Sequence, residues 1–295
     1  MAQGSSLATF KDYYSIVKPG VLYGNALTAA AGFLFASAYF KVFDIWLFIA
    51  TMVGTTFVIA SACALNNFLD QDIDSKMART KTRVLVAGKV DGFKAVILSA
   101  ALGSLGLVIL ILFTNLLVVA VGIMGFIVYV VLYGMLSKRL SIHGTLVGSV
   151  SGAAPILAGY VAVSGVIDPA AVIVFLILFL WQMPEFYSIA IYRRKEYKAA
   201  GVPVMSVVKG VDSTKIQIFL YTFAFVIATT LLTFFGYTGY IYLIVMSGLG
   251  LYWLHLGYLG LKEGSGDAWA RQMFRFSLII LLAFCAIVLV GPLLP

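Results

Sequence analysis

Residues 45–74 read IWLFIATMVGTTFVIASACALNNFLDQDID, a long apolar run that ends in amides and carboxylates. No charged side chain interrupts this run before Asp70, and roughly 20 apolar residues suffice for a helix to cross the hydrocarbon core of a bilayer. Asn66, Asp70 and Asp74 recur at intervals of four residues, so a helix that continues past the run carries them on one face. The stretch therefore predicts a membrane-spanning helix with a polar face at its end.

The composition of the whole chain is that of a membrane protein. Of its 295 residues, 62% are hydrophobic and 11% are charged, whereas soluble domains are about 45–50% apolar and about 25% charged. We therefore predict an all-α integral membrane protein that forms a single domain over residues 1–295. Its nine predicted transmembrane helices cover residues 20–40, 45–66, 93–113, 116–136, 145–164, 169–191, 216–235, 238–260 and 274–294.

The distribution of basic residues predicts the orientation in the membrane. With nine spans, the N-terminus and the loops after the even-numbered spans share one side, and all of the 20 Lys and Arg except Lys41 lie on that side or in helix ends next to it. Such an excess marks the cytoplasmic face. We therefore expect a cytoplasmic N-terminus and a C-terminus on the opposite side. The net charge of +8 is interpreted as topology and attraction to anionic lipid or substrate, without a nucleic-acid partner.

The loop after the second span has the residues of a metal and phosphate site. Mg²⁺ takes oxygen ligands and typically binds one or two carboxylates while the substrate's phosphates supply the rest, which suits Asn66, Asp70 and Asp74. Asp72 lies on the opposite helix face and is expected outside the site. The alternative is a solvated loop with ordinary interfacial bases, which the ordered spacing disfavours. Bases suited to phosphate oxygens follow directly, and we assign diphosphate binding to Lys76, Arg79 and Arg83.

The motif NNxxDxxxD at residues 66–74 resembles the first aspartate motif of the intramembrane prenyltransferases that include ubiquinone and chlorophyll synthases. The longer string NNFLDQDIDSKMARTKTRVLVAGKV at 66–90, with KPGVLYGN at 18–25, WQMP at 181–184 and KEYKAAGVPV at 195–204, resembles one branch, the protoheme IX farnesyltransferases or haem O synthases. The resemblance implies a helical bundle around a cavity that opens toward the cytoplasm. It also implies Mg²⁺-assisted transfer of a farnesyl group from farnesyl diphosphate to a vinyl group of haem B, with addition of water, giving haem O and diphosphate.

A second polar loop reads YRRKEYK at residues 192–198. Many relatives place a second pair of acids here, whereas Glu196 is the one acid in this stretch, so we expect it to assist Asn66, Asp70 and Asp74 at the metal. Tyr133 is assigned to catalysis, because its ring face can contact the diphosphate or the forming cation. Lys138 and Arg139 are assigned to the diphosphate. The bases assigned to the diphosphate or to haem propionates are Arg194, Lys195 and Lys198, and anchoring to lipid is the alternative for each of these.

The sixth span carries the residues that we assign to the acceptor. An ionisable group at this depth usually faces the bundle interior or a wet cavity, and this applies to Glu185. The haem branch typically has His at this position, so ligation of iron from here is in doubt, and a substrate contact and a structural ion pair both stay open. His143 is expected at the surface and His255 between helices. The residues assigned to haem or another acceptor are Gln182, Glu185, Tyr192, Tyr197 and Asn25.

Two alternatives to haem farnesylation follow from the sequence. A related prenyltransferase acting on an aromatic acid or a quinone precursor fits the same metal motif, and a haem transporter or chaperone without catalysis fits less well because it needs no metal-binding carboxylates. The expected setting is the inner membrane of a prokaryote, with Mg²⁺ as cofactor and haem B as substrate. Membrane lipid, and a haem A synthase or terminal oxidase assembly factors, are the expected partners.

Overall fold

The computed structural model describes residues 8–262 and 264–295, and the regular elements within these residues are helices. Nine of the described helices are long and apolar enough to cross a membrane, which confirms the predicted number of spans. These nine are α2 (Pro19–Phe40), α3 (Ile45–Leu69), α5 (Gly92–Phe113), α6 (Leu116–Leu140), α7 (Gly144–Ser164), α8 (Pro169–Tyr192), α11 (Val211–Phe234), α12 (Tyr240–Gly260) and α13 (Asp267–Val290). Short helices α1 (Phe10–Ile16), α4 (Gln71–Asp74), α9 (Arg194–Ala200) and α10 (Met205–Val208) flank or connect them.

Two predicted spans begin earlier in the structure than in the sequence analysis. Helix α11 begins at Val211 instead of residue 216, and α13 begins at Asp267 instead of residue 274. Their first turns carry charged residues, Asp212 and Asp267, and hydropathy marks only the apolar part of a helix. Both helices therefore extend beyond the apolar segment on the side that carries the long loops.

The turns on the opposite side are short and capped by side chains. Asp44 begins α3 by accepting hydrogen bonds from the backbone N–H groups of Trp46 and Leu47. Asp168 begins α8 by accepting from the backbone N–H of Ala171, and it also accepts from the hydroxyl of Tyr160. Such caps satisfy backbone donors that a helix start leaves free. The long connections, and with them the candidate site, lie at the other end of the bundle.

Helices α2 and α7 pack with their backbones in close contact. A Cβ added at Gly159 would lie 1.9 Å from the carbonyl oxygen of Ala29, and one added at Gly32 would lie 2.1 Å from that of Ile156. Small residues permit this approach between membrane helices, where van der Waals packing drives association. The two glycines thereby fix the wall of the bundle that carries Asn25.

We expect Gly159→Val to destabilise the protein because the added side chain separates α2 from α7. Overpacking lowers the free energy of unfolding by about 1–3 kcal/mol. For a large domain, each kcal/mol lowers Tm by about 2–4 °C. The thermal midpoint of the purified protein in detergent measures the effect. The matched control is Gly248→Ala in α12, where an added Cβ meets nothing within 4 Å; equal midpoints for the two variants would contradict the expectation.

Helix α6 departs from α-helical geometry in its second half. Residues Val128–Ser137 form a π-helix, where the sequence predicted a regular span over 116–136. Here Tyr129 and Tyr133 stack with ring centroids 5.8 Å apart, and both line the central cavity. Single π-helical turns occur frequently at functional sites. The wider turn in α6 thus lies where the polar end of the cavity begins.

The two long loops, residues 70–91 and 193–210, together cover this end of the bundle, and we call them the roof. Backbone hydrogen bonds from the N–H of Asp70 to the oxygen of Asn66 (3.0 Å) and from the N–H of Asp74 to the oxygen of Asp70 (2.8 Å) continue the helical pattern of α3 into α4. This confirms the predicted helical continuation of the second span. A small apolar cluster then joins the first loop to the second through Ile73, Met77, Ala200 and Val202.

Candidate active site

The bundle encloses a cavity of about 470 Å³ below the roof. Its walls come from α2, α3, α6, α7 and α8, and from both long loops. The inner part is apolar, with Val58, Val121, Leu178 and Trp181 among its lining residues. The charged and hydrogen-bonding side chains that line it include Lys18, Asn25, Asn66, Asp70, Asp74, Arg79, Arg83, Tyr129, Tyr133, Lys138, Gln182, Glu185 and Tyr197.

Asp70 is a buried carboxylate with one of its two oxygens left available. Its side chain is 2% exposed, and Oδ2 accepts a hydrogen bond from Nζ of Lys138 at 2.6 Å. Oδ1 is buried without a hydrogen-bond partner among the described residues, and Nη2 of Arg139 lies 4.0 Å from it. Buried carboxylate oxygens are normally satisfied, so this oxygen indicates a ligand site.

Asp74 forms a second buried ion pair. Its Oδ2 lies 2.5 Å from Nη1 of Arg83, and the same nitrogen donates to the Oδ1 of Asn67 at 3.1 Å. The amide of Asn67 in turn donates to the backbone oxygen of Ile16 at 2.5 Å, which fastens α1 to the site. Arg83 has its guanidinium held in place by these contacts while it also lines the cavity.

Asn66 contacts a lysine, Lys18, that the sequence did not indicate as a site residue. Nζ of Lys18 donates to the Oδ1 of Asn66 at 2.5 Å, and the Nδ2 of Asn66 is buried without a partner among the described residues. Lys18 precedes Pro19 at the start of α2 and has a left-handed backbone with a φ of 54°. Burial lowers the pKa of its ammonium to about 8. A lysine and a proline directly before an apolar span were the available signal, but nothing in the sequence pairs residues so distant from each other.

Asp70, Asp74 and Asn66 thus each face a cation of the protein itself: Lys138, Arg83 and Lys18. Among the described residues no three side chains of His, Cys, Asp and Glu lie close enough together to form a metal cluster. The two aspartates nevertheless fit a Mg²⁺ ion that completes its shell with phosphate oxygens and water, since such an ion needs only one or two carboxylates from the protein. The unpartnered oxygen of Asp70 supplies the observation in favour of this fit.

Glu196 lies apart from this group. Its Oε1 accepts from Nη1 of Arg193 at 2.8 Å, and its Oε2 is buried without a partner among the described residues. It is not among the residues that line the cavity. The second loop brings Tyr197 to the cavity instead, and burial raises the pKa of that phenol.

The structure separates the predicted phosphate-binding bases into two groups. Arg79, Arg83 and Lys138 line the cavity. Arg139 instead donates to both carboxylate oxygens of Asp72 at 2.7 and 2.8 Å, and these hydrogen bonds lower the pKa of Asp72 to about 2. The bases that are exposed and do not line the cavity are Lys76, Arg194, Lys195 and Lys198.

Of the five residues predicted to contact haem or another acceptor substrate, four line the cavity and one does not. Asn25, Gln182, Glu185 and Tyr197 line the cavity. Tyr192 does not, because its ring packs against the guanidinium of Arg271 at 4.6 Å and against that of Arg193 at 5.5 Å. Its place at the end of α8 turns it toward α13 instead of the cavity.

The structure decides where Glu185 and the two histidines lie. No described basic side chain lies within salt-bridge distance of the Glu185 carboxylate, so the structural ion pair is not formed. His143 is exposed at the start of α7, as expected. The expected position of His255 between helices is wrong: its side chain is exposed, because the register of α12 turns Trp253 and Leu256 inward.

These features define a class: a helical membrane protein whose apolar cavity ends in carboxylates and bases under a loop roof. The model of the UbiA prenyltransferase family matches residues 25–289, and the chain belongs to this family. This confirms the resemblance that the motifs predicted.

Curated relatives place the chain more narrowly within the family. The protein named protoheme IX farnesyltransferase 2 of Chromobacterium violaceum is 49% identical over 271 residues, which are 92% of this chain and 89% of the relative. The protoheme IX farnesyltransferase of Photorhabdus laumondii subsp. laumondii is 44% identical over 285 residues, 97% and 96% of the two chains. The predicted resemblance to this branch is therefore confirmed.

Solved structures share the fold. A digeranylgeranylglyceryl phosphate synthase superposes with a TM-score of 0.79 at 23% identity, covering 96% of this chain and 98% of the other. A UbiA homologue from Archaeoglobus fulgidus, bound to DMAPP and Mg²⁺, gives a TM-score of 0.68 at 15% identity, covering 94% and 99%. Both superpositions cover nearly the whole chain, so this helical bundle has the same fold as the two solved proteins.

Proposed function

We propose that this protein transfers the farnesyl group of farnesyl diphosphate to a vinyl group of haem B, with addition of water, to give haem O and diphosphate. The proposal rests on the buried carboxylate of Asp70 at the mouth of an apolar cavity. One of its oxygens pairs with Lys138, and the other has no hydrogen-bond partner among the described residues. An amphiphile with an anionic head and an apolar chain suits such a cavity, since ligand sites combine apolar walls with a few placed polar groups. The names of the relatives in Chromobacterium violaceum and Photorhabdus laumondii support haem as the acceptor.

The carboxylates and the basic side chains have different roles at the diphosphate. Asp70 and Asp74, with the amide oxygen of Asn66, are the side chains that would hold Mg²⁺. When bound, this ion neutralises charge that develops on the leaving diphosphate as the allylic C–O bond breaks. Lys138 and Arg83 pair with these carboxylates in the structure, and they would be free to donate to diphosphate oxygens if Mg²⁺ were bound there. Such prepared donors stabilise developing charge more effectively than water does.

The aromatic side chains next to this group face the allylic fragment. Tyr133 and Tyr129 stack on each other, and the ammonium of Lys138 lies 5.9 Å from the Tyr133 ring centroid. A ring face attracts a nearby cation, so Tyr133 stabilises the allylic cation after the diphosphate has left. The vinyl group of the acceptor then attacks this cation, and no nucleophilic side chain is required.

The setting that we propose is the inner membrane of a prokaryote, with the polar end of the cavity and the N-terminus in the cytoplasm. The long basic loops support this orientation, because an excess of Lys and Arg is typical of the cytoplasmic side. The deep apolar part of the cavity then lies within the bilayer, and the diphosphate head lies at its cytoplasmic surface.

The test is turnover by the purified protein in detergent with haem B, farnesyl diphosphate and Mg²⁺. We expect a haem product heavier by one farnesyl group plus one hydroxyl group, and loss of that product after chelation with EDTA and its return with added Mg²⁺. The Chromobacterium violaceum relative serves as the positive control. Absence of product under conditions in which this relative turns over would contradict the proposal, and product from an aromatic acid instead of haem would assign a different acceptor.

A further inference from the structure

Two hydrogen-bond acceptors face the cavity from one side of α8. Gln182 and Glu185 are three residues apart and are therefore neighbours on one helix face, and both line the cavity. The amide nitrogen of Gln182 is committed to the backbone oxygens of Leu178 at 3.0 Å and Ser149 at 3.3 Å. Its Oε1 is thereby left as an acceptor. This oxygen occupies the space over Gly152, where an added Cβ would lie 1.9 Å from it.

Glu185 supplies the second acceptor. The residue is 8% exposed, and among the described residues it has neither a hydrogen-bond donor nor a salt-bridge partner. A buried carboxylate is costly unless something polar or cationic is placed against it. The carboxylate thus indicates a ligand of this part of the cavity.

The position of the pair excludes the anionic parts of the substrates. Glu185 lies seven residues before the end of α8 at Tyr192, or about 10 Å deep at 1.5 Å per residue, whereas Asp70 directly follows the last residue of α3. Lys18, Arg83 and Lys138 bind at that outer end. A propionate or a diphosphate finds its cations there, away from Glu185, which has no described basic side chain within salt-bridge distance. Two acceptors without a nearby donor suit a small molecule that donates two hydrogen bonds, and water is such a molecule.

We propose that Gln182 and Glu185 hold the water molecule that adds to the acceptor, and that Glu185 takes the proton of this water. The inference rests on the proposed function, because it concerns the hydration step of haem farnesylation. Glu185 is then a catalytic residue and Gln182 a positioning residue. General bases of this kind typically contribute about 10²–10⁴-fold to a rate.

Atoms and electrons balance in the proposed hydration step. The allylic C–O bond breaks and its electron pair leaves with the diphosphate, and the vinyl π pair forms the new C–C bond to the farnesyl carbon. The positive charge then lies on the vinyl carbon attached to the porphyrin. The water oxygen bonds to this carbon, its proton moves to the carboxylate of Glu185, and that proton later passes to bulk water. No oxidant or reductant takes part.

Removal of the base opens a second outcome for the same cation. Without a held water, the cation loses a proton from the adjacent carbon and forms a carbon–carbon double bond, so the product lacks the elements of water. The mass of the product therefore reports on Glu185 separately from the rate. A carboxylate that merely contacted the porphyrin would change the rate or the haem KM without changing the product.

The experiment compares wild type, Glu185→Gln, Gln182→Leu and Glu185→His in detergent, with haem B, farnesyl diphosphate and Mg²⁺ in ¹⁸O-labelled water. We expect one ¹⁸O in the wild-type product. For Glu185→Gln we expect turnover about 10²-fold lower and a ratio of dehydrated to hydrated product at least about tenfold higher. Gln182→Leu should raise the same ratio, and Glu185→His should restore hydrated product because imidazole also accepts a proton.

The matched control is Ser188→Ala, a buried change on the same helix whose hydroxyl donates to the oxygen of Pro184 at 2.6 Å. It should leave the product ratio unchanged. An unchanged product ratio in both Glu185→Gln and Gln182→Leu would overturn the inference, even if turnover falls. Failure of the wild-type protein to farnesylate haem would overturn the proposed function itself, and the wild-type reaction distinguishes the two failures.

Discussion

Replacement of Asp70 by asparagine will lower kcat/KM for farnesyl diphosphate by at least about 100-fold, a loss of about 2.7 kcal/mol in transition-state stabilisation. The side chain is 2% exposed and keeps its shape in this variant. The change removes the negative charge, and with it the carboxylate whose second oxygen has no partner among the described residues. We expect the remaining activity to need a higher Mg²⁺ concentration, because Asp74 alone then supplies a carboxylate to the ion.

The matched control for this change is Asp72→Asn, two residues away in sequence. The side chain of Asp72 is 57% exposed and pairs with Arg139 outside the cavity lining. We expect kcat/KM to change by less than about threefold, since exposed ion pairs contribute about 0–1 kcal/mol. Initial rates over a Mg²⁺ titration measure both variants. Equal losses in Asp70→Asn and Asp72→Asn would show that the metal role is not specific to the inward face.

The helical periodicity of the motif predicted the inward face well. Asn66, Asp70 and Asp74 line the cavity while Asp72 lies outside, because a continued helix leaves only one face toward the bundle. The number of spans followed equally from hydropathy. Both depend on residues that are close together in the chain, so the sequence alone predicts them.

The partners of these residues depend on contacts between distant segments, and the sequence did not reveal them. Lys18 reaches Asn66 across 48 residues, and no spacing rule connects the two. Lys138 and Arg139 are adjacent and chemically similar, yet one faces the cavity and the other faces Asp72. Adjacent residues on a helix point about 100° apart, and the π-helical segment that ends directly before this pair has no simple signature in an apolar sequence.

Replacement of Lys138 by glutamine will lower kcat/KM for farnesyl diphosphate by about 10–100-fold. Its Nζ lies 2.6 Å from Oδ2 of Asp70, and this ammonium would be free to donate to the diphosphate if Mg²⁺ were bound to the carboxylate. A hydrogen bond to a charged group contributes about 1.5–3 kcal/mol, and each 1.36 kcal/mol corresponds to a factor of ten in rate. Steady-state kinetics at saturating haem B measure the loss.

Arg139→Gln is the matched neighbour for this prediction, because it removes an adjacent positive charge of the same loop end. Arg139 donates to Asp72 and to the backbone oxygen of Leu69 and does not line the cavity. If Lys138 acts through direct contact, Arg139→Gln should cost less than about threefold in kcat/KM. If instead the loop only attracts diphosphate by its summed charge, the two variants should lose activity equally, and the loss should shrink in parallel as salt screens the field. A loss confined to Lys138→Gln that persists at high salt identifies a held donor, since contacts inside a buried site are screened far less than those at the surface.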